Sequence, residues 1–434
     1  MKIPLGIAAA ALAAAAAFWP AGYGKAGDKP SAPAPGAPDL DNLPGIVFDD
    51  SIGDWVVDRF AGNNEAGPVL YQGPAREIGG LATPKEVLVM PDGTGYIVCG
   101  GTGLGVAAAE LMKVASDGSA RLMMDADGLV EGPLEDCQAG RPIWNPREKA
   151  LYLTGPNCLR KVVEKSDGSR WVEVVVGIPN EPPPPPPYGK PYTPQDGPAK
   201  EATFQSLYRG VVCNSRGTFF WLEDQGLRRI ENGTVSSVPL KHQEEIRSFY
   251  FAMGGTNTGL LSLGEDDDTL YISDYYGRNG YCVYRCDVKT GELTRICGVR
   301  HKDRKTWPPS LAERHKRFIG ETDGPALTHA SGNSGLWGNY DPFHRAIWIG
   351  CPDALRCRWL KLDGDGWVRT VLGALRPQTK RQPYDDNGPG VPGEQFMAHY
   401  PRVAGFDARG GVYLAHWGNP TGIWRAYLKK EAKP

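Results

Sequence analysis

The side chains in this sequence with chemical potential recur where short apolar runs end. Asp274 follows Leu270-Tyr271-Ile272-Ser273, Asp224 follows a run centred on Trp221, and His416 follows a run centred on Tyr413. His329 stands on a connecting segment nearby in the repeat. Carboxylates and imidazoles that converge on one point suit Zn²⁺ or Ca²⁺, and an ion held there polarises a substrate for lyase or hydrolase chemistry. These residues come from separate stretches, and no local spacing such as His-x-x-x-His joins them, so no cofactor is assured. Tyr275 and Trp417 accompany them and offer aromatic platforms for a sugar or a peptide; the same rings equally suit packing between sheets. The nine Cys include no Cys-x-x-Cys, and none has a His beside it in sequence. An odd count leaves at least one thiol unpaired within a monomer. Cys351 and Cys357 bracket a five-residue loop and form the best candidate disulfide. Cys282, Cys286 and Cys297 share one unit, with no pairing preferred.

The elements that position these residues are short strands. Thr269–Gly298 reads as three of them, with Thr290-Gly291 joining the last two in a tight turn. The same pattern recurs along the chain. A Gly-Pro step appears at Gly67, Gly132, Gly197, Gly324 and Gly388, at spacings of 65, 65, 127 and 64. The long interval is twice the others, so one unit near residue 260 lacks the step, and six units result. An aromatic column gives the same count: Tyr96, Tyr152, Trp221, Tyr271, Trp348 and Tyr413. Each unit then carries a third run, a turn such as Asp117-Gly118, Asp167-Gly168, Asn232-Gly233 or Asp365-Gly366, and a fourth run.

Four antiparallel strands per unit, six units and no sustained helical period predict an all-β, six-bladed β-propeller. The sixth unit ends after its third run, Ile423–Tyr427. Trp55–Ala61 resembles the fourth runs at Trp171 and Trp367, each opening Trp-Val. The ring is therefore expected to be closed by an N-terminal strand, which removes two free edges.

At this point the chain resembles the NHL repeats. Asp196-Gly197-Pro198-Ala199 and Asp323-Gly324-Pro325-Ala326 look like their opening, and Asp224-Gln225-Gly226-Leu227-Arg228-Arg229-Ile230 looks like their Asp-x-Gly-x-x-Arg-Ile segment. The resemblance covers units three and four and the start of five. It implies the propeller and no single activity, since the family includes binding modules, lyases and sensor domains. Its lyases act through metal-bound histidines, whereas its repeat Asp is commonly structural. The Asp column here is replaced by Cys99, Gly155, Cys351 and His416 in the remaining units.

The extra length falls on one side. Loops after second strands and blade-to-blade crossings share a face, and segments 63–82, 178–206, 299–334 and 374–398 all belong to it. Six prolines at 182–187 form a polyproline II stretch, either a rigid spacer or a docking motif. Residues 301–317 are basic, and Ser310-Leu311-Ala312-Glu313 opens like a capped helix, suited to a solvated surface or to an anion. The first 24 residues carry Lys2, an apolar run over 3–18 and small residues, which reads as an export signal. Residues 25–44 read as a Pro/Ala/Gly-rich linker and 45–434 as the propeller, which places the protein in a secreted or periplasmic setting with only transient membrane contact. A formal net charge of −2 gives no field for nucleic acid. The sequence therefore points to a recognition module for a protein, peptide or glycan on the long-loop face. Its alternatives are a metal-assisted lyase or hydrolase at the channel mouth and a structural part of an envelope assembly.

Overall fold

The second strand of a unit is short and apolar at most positions; Phe219–Glu223, for example, is buried throughout. Such strands must be covered on both faces, which a sheet achieves when it is stacked between two others. A computed structural model shows that arrangement. It describes residues 48–63, 72–78, 81, 84–100, 108–125, 127–180, 195–203, 210–223, 226–243, 246, 260–275, 281–299, 323–328, 338–351, 356–373, 390–396, 401–416 and 422–429. The chain is a six-bladed β-propeller whose sheets hold four or five antiparallel strands.

Each blade runs outward from the axis. Blade one uses Pro84–Val89, Gly95–Gly100, Ala108–Val114 and Ser119–Met124; blade two uses Pro142–Asn145, Ala150–Gly155, Cys158–Glu164 and Arg170–Gly177. Blade three uses Val211–Cys213, Phe219–Glu223, Gly226–Glu231 and Thr234–Val238; blade four uses Leu260–Leu263, Thr269–Tyr275, Tyr281–Asp287 and Leu293–Val299. Blade five uses Gly338–Asp341, Ala346–Cys351, Arg356–Lys361 and Trp367–Leu372. Blade six takes Pro401–Phe406, Val412–His416 and Ile423–Leu428 from the C-terminal end, and Trp55–Ala61 is its fourth strand. That strand pairs Trp55 with Leu428 and Val57 with Ala426, which closes the ring as expected.

The core is divided into layers between neighbouring blades. Tyr96 and Leu111 of blade one meet Leu153 and Val172 of blade two. Tyr152 meets Trp221 across the next interface, and Phe220 meets Ile272 across the one after. Tyr271 packs with Ile347 and Ile349, Trp348 with Trp55 and Leu414, and Tyr413 with Val87 and Ile97. The last contact joins blade six to blade one. All six column aromatics are buried, between 0% and 7% exposed. In three blades the column tyrosine donates its hydroxyl to an acid of the first turn: Tyr152 to Glu148 at 2.8 Å, Tyr271 to Glu265 at 2.8 Å and Tyr413 to Asp407 at 3.2 Å. The basic residue directly across the sheet, Lys161, Arg285 or Arg425, pairs with the same acid. Burial and the adjoining carboxylate push these phenols up.

The Gly-Pro step proves to be a fifth, outermost strand. Gly132–Pro133, Gly197–Pro198 and Gly324–Pro325 each pair with the fourth strand of the blade they enter. In blade one this place belongs to Gln72–Pro74 and in blade six to Val391–Pro392, which corrects the assignment to Gly67 and Gly388; those two lie outside the described residues. Gly73, Gly132, Gly197 and Gly324 share φ of 151–158°, a conformation that favours glycine and so makes the step visible in sequence. Blade four has four strands, as the spacing implied. Its vestige is at residues 239–241 rather than near 260. Lys241 N–H donates to the Gly291 carbonyl at 2.8 Å, as Ala75, Ala199 and Ala326 do to Gly118, Gly233 and Gly366.

Two further expectations shift. Val56, not Trp55, lies opposite the proline of the fifth strand, whereas Trp171 and Trp367 do lie opposite theirs. Successive strand residues face opposite ways, so this one-residue offset turns Trp55 inward, to 0% exposed, while Trp171 and Trp367 are 37% and 38% exposed. Trp55 packs edge-on against Trp348 and Trp359, and Trp359 donates to Asp49 at 2.9 Å, so the chain just before the closing strand grips blade five. The disulfide expectation gains no support. Cys357 lies opposite Gly350 and Cys351 opposite Arg356, one register step apart. Cys286 and Cys297 sit in different core layers with free thiols.

Removing residues 54–62 opens blade six at one edge and takes Trp55 from its contacts with Trp348 and Trp359. The truncated protein is expected to aggregate; a monomer with unchanged melting would refute the closure argument. Asp323→Ala leaves the fully buried Arg358 guanidinium without its carboxylate, and a denaturant melt should register a loss of about 3–5 kcal/mol. A loss below about 1 kcal/mol would show that the pair does not anchor the blade.

Candidate functional site

The propeller's connectivity defines two faces. Inner strands start, and second strands end, on the face that receives the crossings and the long loops. Leu260 pairs with Ser273 and Pro401 with His416, so the Asp274 and His416 backbones stand at the mouth of the ring. Tyr275, paired with Tyr281, is one residue further out on the same blade. Asp224, His329 and Trp417 lie outside the described residues, as do the proline run and the basic segment. Among the described residues, no three His, Cys, Asp or Glu side chains are grouped to hold a metal ion.

The described part of the mouth has a polar bridge that the sequence reading missed. Arg141 immediately precedes the inner strand of blade two, and its backbone exchanges hydrogen bonds with Thr154: its N–H donates to Thr154 Oγ1 at 3.0 Å, and its carbonyl accepts from Thr154 N–H at 3.0 Å. The side chain reaches to Glu86 on the inner strand of blade one and forms an ion pair through Nε. In the other direction Nη1 approaches blade three, where it lies 3.5 Å from the point a Cβ on Gly210 would occupy. Gly210, at φ +105°, has no side chain there, and an added Cβ would also stand 3.2 Å from the Leu261 backbone N. Arg141 and Glu86 remain 18% and 27% exposed, so solvent reaches both. The available sequence signal is a charged residue directly ahead of an apolar inner run, which gives no partner by itself.

Two other acids stand at this end of the fold, Glu223 buried and Glu110 partly so. Glu223 ends the second strand of blade three at 2% exposed, accepts from Trp221 Nε1 at 3.2 Å and lies 3.6 Å from Arg228 Nε. Glu110 lies opposite Cys99 in blade one, and its Oε2 is buried without a hydrogen-bond partner. Burial first, then the nearby Asp125 charge, raises its pKa above the usual carboxylate range. Three thiols are poor nucleophiles: burial pushes Cys158 up to about 11 and Cys213 and Cys286 up to about 12. A thiol so shifted is almost wholly protonated at neutral pH.

Comparison with known proteins places the fold. No family model matches the chain, and no curated protein matches it in sequence. Solved structures do match. An auxiliary nutrient binding protein from Bacteroides ovatus is 14% identical with a TM-score of 0.53, covering 86% of this chain and 76% of that one. A protein of unknown function from Bacteroides thetaiotaomicron is 12% identical with the same score and coverages. At such identities the likeness concerns the fold alone. No helix among the described residues is long and apolar enough to cross a membrane.

The Glu110 carboxyl makes a pH-dependent prediction. Its folded pKa is raised, so it favours the folded state in acid and loses that contribution as pH rises through the folded value. Glu110→Gln is therefore expected to raise the melting temperature at pH 7, with the gain vanishing below the ordinary glutamate range. A gain that is the same at both pH values, or a loss at pH 7, would contradict this.

Proposed function

We propose that this chain is an exported recognition propeller that binds a protein, peptide or glycan at the long-loop face. The observation that carries the reading is the Glu86–Arg141 bridge, a solvent-reached polar floor joining separate blades on the face that also receives the insertions. The opposite face is built from short turns that satisfy themselves. Asp117 and Asp167 accept from Ser119 and Ser169, Asp407 from Arg409 and Gly411, and Ser215 and Arg216 pair with Asp267 and Asp268 of the next blade. A rigid ring with its chain length spent at one mouth suits capture of a ligand. The NHL-like reading is supported by the Asp-Gly-Pro-Ala segments, whose Asp196 and Asp323 pair with Arg228 and Arg358 of their own blades. Export rests on the N-terminal 24 residues, and sequencing the mature N-terminus tests it.

A metal-assisted enzyme is the second reading, and it is favoured by the His416 backbone standing at the mouth beside Pro401. Elemental analysis separates the two: stoichiometric zinc or calcium lost on His416→Ala supports the enzyme.

For the recognition reading, immobilised protein is screened against glycan and peptide arrays. Binding is expected to fall at least about tenfold in Arg141→Ala and to persist in Asp267→Asn on the short-turn face. A ligand lost in Asp267→Asn and kept in Arg141→Ala would place recognition on the wrong face.

A further inference from the structure

The charge balance of the bridge narrows what the mouth accepts. We propose that it selects a neutral polyhydroxylated ligand, a sugar with neighbouring hydroxyls, over an anion or a cation. The proposal rests on the recognition reading above and deepens it.

Arg141 and Glu86 are partly removed from water and already in contact, so together they carry no net charge. An anionic ligand taken by the remaining N–H groups of Arg141 would stand beside the Glu86 carboxylate and be repelled by it. A cation has the converse problem with Arg141. Both repulsions weaken such binding, the more so because solvent reaches the pair only in part. A hydroxyl differs because it donates and accepts at once. One hydroxyl of a neighbouring pair can donate to a Glu86 oxygen while the next accepts from a guanidinium N–H. The ion pair then stays intact, and its remaining hydrogen-bonding capacity is used.

The fixed geometry favours such two-point recognition. Thr154 holds the Arg141 backbone at both N and O, and the guanidinium runs from Glu86 of blade one toward Gly210 of blade three. Donor and acceptor are thus presented at a set separation by strands of different blades, with little ordering required on binding. The chain as a whole adds no opposing preference, since its formal net charge is −2 over 434 residues.

Isothermal titration of the full protein tests this with neutral hexoses and disaccharides, each beside its uronic-acid and amino-sugar counterpart. The neutral member should bind tightest, by about tenfold, and Glu86→Gln and Arg141→Lys should each weaken it by a similar factor. Arg141→Lys keeps the charge and loses only the forked donor set. The paired exchange E86R with R141E restores neutrality and guards against a folding defect in the single variants; it should keep the neutral preference, with melting temperature as the folding control. A uronic acid or amino sugar that outbinds its neutral parent overturns the proposal, as do unchanged affinities in both single variants. If no saccharide binds while a peptide is held in an Arg141-dependent way, the sugar proposal falls and the recognition reading stands. If neither class binds, both fall.

Discussion

A blade must fix the chain that enters it, and in blades three and five a carboxylate of that chain pairs with a buried guanidinium on the third strand. In blade five, Asp323 and Arg358 have side chains with no solvent exposure and meet at 2.6 Å. Asp323 also accepts from the Thr370 backbone at 3.0 Å and from its hydroxyl at 2.8 Å. One carboxylate thus fixes the crossing to the third and fourth strands at once. Two charges removed from water together need further hydrogen bonds to offset their desolvation, and both Asp323 oxygens are engaged. The pair therefore specifies where the crossing must lie, whatever its net contribution to stability.

Other blades keep the place and change the means. In blade three, Asp196 holds Arg228 at 2.5 Å and accepts from the Ser237 backbone, while itself 54% exposed. In blade two, Arg160 is buried against the carbonyls of Gln138 and Thr154, and Glu131 accepts from the Val174 backbone. Val174, Ser237 and Thr370 occupy one register position, each opposite the arginine of its own blade. Blade six reverses the polarity: Asp58, on the fourth strand itself, accepts from the Gly390 backbone of the entering chain. The common requirement is that a backbone N–H at the seam between the fourth strand and the entering chain find an acceptor. Any carboxylate that reaches it serves.

This explains which parts of the fold were legible in the sequence. The glycine of the fifth strand requires an unusual φ, so it persists and marks the repeat. The column aromatics fill layers between blades, so they persist as large rings. Both are local requirements of one residue. The errors arose where the requirement is relational. Gly67 and Gly388 carry the right dipeptide, but pairing with the fourth strand selects Gly73-Pro74 and Val391-Pro392 instead. Trp55 carries the right neighbour, Val56, yet a shift of one residue in register reverses its face. Composition cannot report register, because register is set by what lies across the sheet.

The candidate site is the extreme case of the same limit. Asp274, Tyr275 and His416 were found from the repeat, because a position at a strand end is a local property. Glu86 and Arg141 were not, because their significance lies in reaching one another from adjacent blades, with a third blade's Gly210 beside the guanidinium. No two of these three residues are close in sequence, and none belongs to a motif. A propeller separates the two kinds of information physically. The blade layers are close-packed and tolerate few alternatives, so they leave a periodic signal. The mouth is assembled from six independent strand ends, each free to vary while the ring beneath it holds its shape, so its chemistry can only be read once the ring is closed.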